Sequence, residues 1–283
     1  MFADLHLHTC FSDGTFTPEE LVRTAAERGL SAIALSDHDT MAGCPRARAA
    51  SIEHGLDFIP ACELTVDHEG RELHVLGYGL DPEQPALAAF LACCREARHD
   101  RIREMARRLL ERGVDIPADS VEALAHLESP GRPHIGQALV DSGHCTSLDE
   151  AFERFLKKGR PGWAPKWRIA SAEAMTLIHR AGGLAVLAHP GLYRLDDAIP
   201  SLCEAGLDGL ECYHSKHSPS AAIYYRELAD RHQLLVTGGS DCHGFTKGAP
   251  LIGGVKLEWN LFDIFRQRLL PSAATPAITP HPN

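Results

Sequence analysis

The chain has 283 residues, 44% of them hydrophobic and 23% charged, with a formal net charge of -10. That length can bury a large core, in one barrel or two domains, and the composition is that of an ordinary globular protein. The acidic balance excludes a protein that coats long nucleic acid or DNA, because such binding needs a basic face, but it leaves room for a pocket holding one or two phosphates. Nine cysteines occur without a C-x-x-C pair or a regular framework. With no secretory signal at the N-terminus, they read as reduced thiols in a cytoplasm, most of them small buried hydrophobes. No apolar run reaches the length of a membrane span.

Residues 2–7 read as a strand with period-two alternation, so His6 and His8 leave on one face, near enough to grip one metal ion. The chain turns at Ser12-Asp13-Gly14, and Asp13 returns a carboxylate toward the same place. Thr17-Pro18-Glu19-Glu20 starts a helix, with Thr17 as cap, Pro18 at the first helical position and Glu20 closing a capping box. That helix ends near Gly29. The apolar run 32–36 is a strand buried on both faces, which suggests a parallel sheet, and it ends in Asp37-His38-Asp39. A helix is expected over 41–54. Residues 58–66 and 73–78, joined by a turn at 68–71, read as a hairpin that carries Glu63 and His74.

From residue 83 to about 158 the rhythm changes to helices alone, at 85–112, 118–126, 133–141 and 148–158. This stretch, 83–159, reads as a helical insertion covering one end of a discontinuous barrel made of 1–82 and 160–270. Six arginines crowd its first helix (95, 98, 101, 103, 107 and 108), and a solvated face with Glu partners is the expected reading. Gly131-Arg132-Pro133-His134 places Arg and His at a helix start, where backbone N–H groups favour an anion; a simple helix entry is the plain alternative.

The α/β alternation then resumes. Helices are expected at 172–181, 196–205, 219–232 and 257–269. Strands at 183–188, 208–213 and 234–240 end in His189, in His214 to His217, and in Asp241-Cys242-His243. The tail from Pro271 reads as disordered.

In a parallel α/β barrel the C-terminal strand ends gather in one mouth, where active sites lie. His6, His8, Asp13, His38, Glu63, His74, His189, Asp241 and His243 therefore converge by topology. All are imidazole or carboxylate, the ligand set of Zn, Mn or Fe, and nine ligands suit two or three ions with Glu63 as a bridge. A lone His is more often packed or solvated than a ligand, but here that explanation must hold at every strand end at once. Cys10, Cys62 and Cys242 read as structural. His54, His68, His99, His126, His144, His179, His232 and His281 read as ordinary surface residues, and His214 and His217 as rim residues able to touch substrate or solvent.

These residues carry a family pattern. Asp4-x-His6-x-His8, Asp13-Gly14, Gly29-Leu30-x-x-Ile33-Ala34-x-x-Asp37-His38-Asp39, Glu63, His74, His189-Pro190 and Gly239-x-Asp241-x-His243 resemble the PHP (polymerase and histidinol phosphatase) superfamily. The resemblance implies a distorted (β/α)7 barrel with two or three divalent ions, manganese first, with iron or zinc as alternatives. Thr40-Met41-Ala42-Gly43, Asp13 and the insertion resemble the branch named for its place near tryptophan genes. That branch implies a phosphatase removing the 3′-phosphate of nucleoside 3′,5′-bisphosphates. By this resemblance His6, His8, Glu63 and Asp241 hold one ion, Glu63, His74 and His189 a second, and Asp13, His38 and His243 a third.

The expected chemistry is attack by a metal-bridging water beside Glu63, with Arg132 and Lys158 neutralising phosphoryl charge. His134, His217 or water protonates the leaving oxygen. The alternatives are a 5′-to-3′ exoribonuclease on short RNA, a histidinol phosphate phosphatase, and a non-catalytic metal-binding module. The last predicts missing ligands, and none is missing.

Overall fold

The computed structural model describes residues 1–124, 126–246 and 248–269. The expected tail and His281 lie outside them. One sheet contains strands β1 (Phe2–Asp4), β2 (Ala32–Leu35), β3 (Asp57–His68), β4 (Arg71–Tyr78), β5 (Ile169–Ala170), β6 (Leu184–Leu187), β7 (Gly209–His214), β8 (Leu235–Gly239) and β9 (Leu257–Glu258). Eight follow one another in the order β8-β7-β6-β4-β3-β2-β1-β9, and β5 pairs with β3. Most pairings are parallel; β4 runs against both neighbours, and β9 against β1.

The sheet curls until β8 meets β1, giving a nearly closed α/β barrel. At the start of the seam β9 pairs with Phe2 and Ala3. Beyond it Leu5 N–H donates to the Gly238 carbonyl (3.1 Å), Asp241 N–H to His6 (2.9 Å) and His8 N–H to Cys242 (3.0 Å). These bonds replace the regular ladder expected through residue 7. Gly239 lies against this closure: a Cβ there would sit 2.3 Å from His6 Cβ.

Helices α1 (Pro18–Glu27), α2 (Cys44–His54), α7 (Ser171–Arg180), α9 (Ile199–Glu204) and α10 (Pro219–Arg231) lie among the strands. They are joined by α3 (Pro85–Leu110), α4 (Ala118–Leu124), α5 (Arg132–Asp141), α6 (Leu148–Ala151), α8 (Pro190–Tyr193) and α11 (Trp259–Leu269). The expected capping box of α1 is present, with Thr17 N–H donating to the Glu20 carboxylate (2.9 Å) and Glu20 N–H to Thr17 Oγ1 (3.3 Å). Apolar residues of α1, α2, α7, α9 and α10 join the main core with Leu35, Leu64, Val75 and Leu210. α11 packs Phe262 and Phe265 with Leu5, Leu76 and Tyr78 in a second cluster.

Between β4 and β5 no strand occurs among the described residues. This segment has its own core of Ile102, Met105, Leu109, Ile135, Leu139, Phe155 and Leu156. α3 belongs to both parts, because Leu87 near its start joins the barrel core while Met105 and Leu109 join the helical one.

Local departures from expectation have local causes. The helix expected over 148–158 is α only to Ala151, then a π-helix over Phe152–Leu156, with Lys157 N–H reaching the Phe152 carbonyl (3.0 Å). The helix expected at 41–54 starts at Cys44, and the one at 257–269 begins with the two residues of β9. No described helix is long and apolar enough to cross a membrane.

Candidate metal centre and phosphate pocket

The strand ends converge on Glu63, which β3 places where it is wholly buried. Five imidazoles surround its carboxylate. Oε1 is 2.7 Å from His74 Nδ1 and 3.0 Å from His189 Nε2. Oε2 is 3.0 Å from His38 Nδ1 and 3.3 Å from both His6 Nε2 and His8 Nε2. Asp241 stands beside them, its Oδ1 3.4 Å from His6 Nε2 and 3.2 Å from His8 Nε2. Asp13 lies 3.3 Å from His243 Nε2 and 3.8 Å from His38 Nε2.

Donor atoms within 4.8 Å of one another fall into groups. One is His6, His8, Glu63 and Asp241; another is His8, Asp13, His38 and His243; a third is His38, Glu63 and His74. The structure thus brings all nine expected ligands together. His189 approaches through Glu63 rather than within the third group.

The backbone is held in unusual conformations at three of these strand ends. Asp39, His189 and Asp241 have φ of 50°, 30° and 53°, a region non-glycine residues seldom adopt and one that marks functional sites. Neighbouring polar residues brace the loops. Asp37 accepts from Thr9 N–H (2.7 Å) and Ser12 Oγ (2.6 Å), so it fixes the turn carrying Asp13. Asp4 accepts from Ser240 N–H (2.8 Å) and Gly253 N–H (2.9 Å), and burial pushes its carboxyl up to about 6.

Electrostatics favour a cation here. Burial alone would raise the Glu63 carboxyl, but His38, His74 and His6 hold it well below the usual range. Burial works against protonation of His6, yet Glu211, Glu63 and Asp241 drive it well above the ordinary imidazole value. Buried His6 Nε2, both His8 ring nitrogens, Asp13 Oδ1, His38 Nδ1 and Glu63 Oε2 have no hydrogen-bond partner. Buried polar atoms are rarely left unpaired, and so many aimed at one place fit divalent ions. The donors are all N and O, which suits Mn, Fe or Zn.

A cavity of about 310 Å³ opens from Asp13, His38, His74 and His243, and Arg98, Arg101, Arg132 and Lys166 line it together with one acid, Glu72. Two of these cations come from the helix read as a solvated arginine face. Arg95, Arg103, Arg107 and Arg108 do pair with acids at the surface, Glu128, Asp100 and Glu104. Arg98 instead is buried, its Nε 2.9 Å from Asp39 Oδ2 and its Nη1 3.2 Å from the Pro130 carbonyl. It ties the helical segment to the barrel. Burial and the neighbouring Arg98 pull the Lys166 ammonium down to about 8.

Three expected substrate contacts stand elsewhere. Lys158 is exposed and does not line the cavity; Lys166, just before β5, supplies the ammonium. His217 is occupied on both ring nitrogens, Nδ1 donating to the Cys212 carbonyl (2.9 Å) and Nε2 accepting Gly191 N–H (3.1 Å), so it has no proton to give a leaving oxygen. His134 does not line the cavity; its Nδ1 accepts Gly131 N–H (3.0 Å) at the start of α5, and burial lowers its pKa. Arg132, from the same turn, does line it. His68, read as a surface residue, is buried between the Ser171 and Ser201 hydroxyls at 2.9 Å each.

Glu211 and His214 were not read as part of the ligand set, and the structure places both directly behind it. Glu211 accepts from His6 Nδ1 (2.9 Å) and from His189 N–H (2.7 Å). His214 Nδ1 accepts Lys216 N–H (3.1 Å), which turns its Nε2 toward Asp241 Oδ2 (3.3 Å). The signal in the sequence was a carboxylate inside an apolar strand, since a buried acid needs partners.

The PHP domain matches residues 4–197 of the chain. The chain is similar to the 3′,5′-nucleoside bisphosphate phosphatase of Chromobacterium violaceum, at 35% identity over 88% of this chain and 90% of that protein. It is also similar to the 5′-3′ exoribonuclease Rnm of Escherichia coli strain K12, at 34% identity over 85% of this chain and 84% of that one. Its fold resembles that of a Bifidobacterium adolescentis protein provisionally described as a metal-dependent phosphoesterase. The TM-score is 0.86 at 34% identity, over 94% of this chain and 96% of that one.

Proposed function

The chain belongs to the PHP-domain family as a phosphoesterase, and on that premise we propose that it removes the 3′-phosphate of nucleoside 3′,5′-bisphosphates. The observation that carries this reading is the adjacency of two unlike sites: a buried carboxylate–imidazole cluster, and a pocket of four cations opening from its ligands. A substrate with two phosphates needs both. The 5′-phosphate sits against Arg101, Arg132 and Lys166, where guanidinium forks bind phosphate oxygens bidentately. Arg98 stays paired with Asp39 and shapes the pocket floor.

His6, His8, Asp13, His38, Glu63, His74, His189, Asp241 and His243 hold two or three divalent ions, manganese ahead of iron or zinc. Bound there, such ions supply Lewis acidity toward the phosphoryl oxygens and a nucleophile from water near neutral pH. Glu211 and His214 keep His6 and Asp241 oriented. The water oxygen bonds to phosphorus, the bond to O3′ breaks in line, and O3′ leaves with a proton delivered through water. Nine free cysteines fit a reducing cytoplasm.

Histidinol phosphate fits less well, because it carries one phosphate and would leave most of the four pocket cations without an anion. The test compares phosphate release from adenosine 3′,5′-bisphosphate and from adenosine 3′-monophosphate by the manganese-loaded protein. The 5′-phosphate contacts predict a kcat/KM at least about 100-fold higher for the bisphosphate. Equal rates would remove the basic pocket from substrate recognition.

A further inference from the structure

One acid, Glu72, stands with the four cations that line the cavity beside the carboxylate–imidazole cluster. Among the described residues it is the only carboxylate lining that cavity outside the nine candidate ligands. β4 puts it there. Glu72 and His74 are two apart on that strand, so their side chains leave on the same face. His74 Nδ1 faces Glu63 at 2.7 Å, and Glu72 stands one pleat further along, its Oε1 4.0 Å from His74 Nε2.

A carboxylate in a phosphate pocket needs a reason, because it repels the anion that the cations attract. Two plain reasons are weak here. As a partner of Arg168 it is the looser of two: Arg168 Nη2 lies 3.1 Å from Asp67 Oδ1, but Nη1 is 3.8 Å from Glu72 Oε2. Such a pair at the surface contributes little. As a support for His74 it is beyond hydrogen-bond reach. Among the described residues no hydrogen bond engages the Glu72 carboxylate, so its oxygens can accept from a ligand.

The donor inventory points to what they accept. Arginine and lysine side chains only donate, so they serve phosphate oxygens and cannot take the proton of a hydroxyl. In a nucleoside 3′,5′-bisphosphate the 3′ and 5′ oxygens are both esterified, and the 2′-hydroxyl is the sugar's only free hydroxyl. It lies next to the reacting 3′-phosphate. With that phosphate at the cluster and the 5′-phosphate against Arg101, Arg132 and Lys166, the ribose spans the ground between His74 and those cations, which Glu72 borders. In dinucleotide-binding folds an acid likewise accepts the ribose 2′-hydroxyl. That group is also what distinguishes ribose from deoxyribose at a binding site.

We propose that Glu72 is the residue that reads the sugar: it accepts the 2′-hydroxyl and so favours ribose over deoxyribose in the substrate. The proposal rests on the bisphosphatase reading, which places the two phosphates on either side of the sugar. Glu72 touches no reacting atom and moves no proton. It determines specificity, not the chemical step.

The experiment measures kcat/KM of the metal-loaded wild type and of Glu72→Ala on adenosine 3′,5′-bisphosphate and on its 2′-deoxy analogue. Titration calorimetry of both proteins with the products, adenosine 5′-monophosphate and its 2′-deoxy analogue, reads the same contact without turnover. Taking the ribose-to-deoxyribose ratio within each protein cancels any loss of folded or metal-loaded enzyme. Wild type is expected to favour ribose about tenfold or more in both measurements, the effect of one hydrogen bond to a charged acceptor, and Glu72→Ala to bring both ratios to within about threefold of unity. A wild type indifferent to the 2′-hydroxyl overturns the proposal and leaves the bisphosphatase reading standing. So does a Glu72→Ala protein that keeps the wild-type ratios, because an equal loss on both sugars makes Glu72 a support of His74. A wild type that releases phosphate from neither bisphosphate sinks the bisphosphatase reading, and this proposal with it.

Discussion

Glu63 shows how one residue can decide a site. A carboxylate wholly buried among five imidazoles, each ring nitrogen within 3.3 Å of it, is tolerable only if protons or metal ions balance the group. Glu211 acts one layer out: by accepting from His6 Nδ1 it leaves Nε2 facing Glu63 and Asp241. Such outer partners typically contribute about 10–100-fold to metal affinity. Glu211→Gln is therefore expected to weaken divalent-ion binding by that factor, read by titration calorimetry, with the circular-dichroism spectrum unchanged. Wild-type affinity in the variant would make Glu211 a packing residue only. Lys166 yields a pH prediction. Held near 8, it is charged below that pH and neutral above it, so the pocket loses a cation as pH rises. kcat/KM for the bisphosphate should fall above about pH 8 and stay flat in Lys166→Arg, whose guanidinium does not titrate there; the same fall in both would assign the titration to another group. The histidines and acids at strand ends were legible because spacing and topology both pointed at them. Glu211, Lys166 and Arg98 were not, because their roles depend on which helix or strand faces them.

At the scale of elements, the site depends on how strands end. β1 and β8 close the barrel through backbone bonds that also aim His6, His8 and Asp241, and Gly239 leaves no space for a side chain beside His6. Gly239→Ala should lower metal stoichiometry as well as thermal stability, measured on the same preparation; a stable variant with full metal content would show that the backbone there can give. α3 is the other decisive element. Its arginine row reads as a solvated face from periodicity, and most of it is. The helix nevertheless passes from the barrel to the helical segment, and at Arg98 it meets buried Asp39. Removing one partner of a buried pair strands the other charge, at a cost of about 3–5 kcal/mol. Arg98→Ala should lose that much stability in urea unfolding, whereas Arg103→Ala, at an exposed pair, should lose almost none. Equal small losses would make the Arg98–Asp39 pair dispensable. Which long segments are helices and which are strands was readable from the sequence, but their bounds and short pieces such as β5, β9 and the π-helix were not, since two to five residues carry no periodicity.

The whole molecule reconciles an acidic chain with an anionic substrate by gathering four cations at one pocket. The net charge is -10, yet four cations line one pocket beside the carboxylate–imidazole cluster. The barrel brings the candidate ligands from separate strand ends to one place, and the helical segment brings Arg98, Arg101 and Arg132 beside them. Neither part alone supplies both the carboxylate–imidazole cluster and all four pocket cations. The most direct test of this account is metal content and phosphate release measured together, on wild type and Glu63→Gln. Wild type loaded with manganese should carry two or three ions per chain and release phosphate from adenosine 3′,5′-bisphosphate. Glu63→Gln should lose at least one ion and about 1,000-fold or more in kcat. A wild type that binds no metal after manganese is added back, or a Glu63→Gln protein that keeps both its ions and its turnover, would contradict the account.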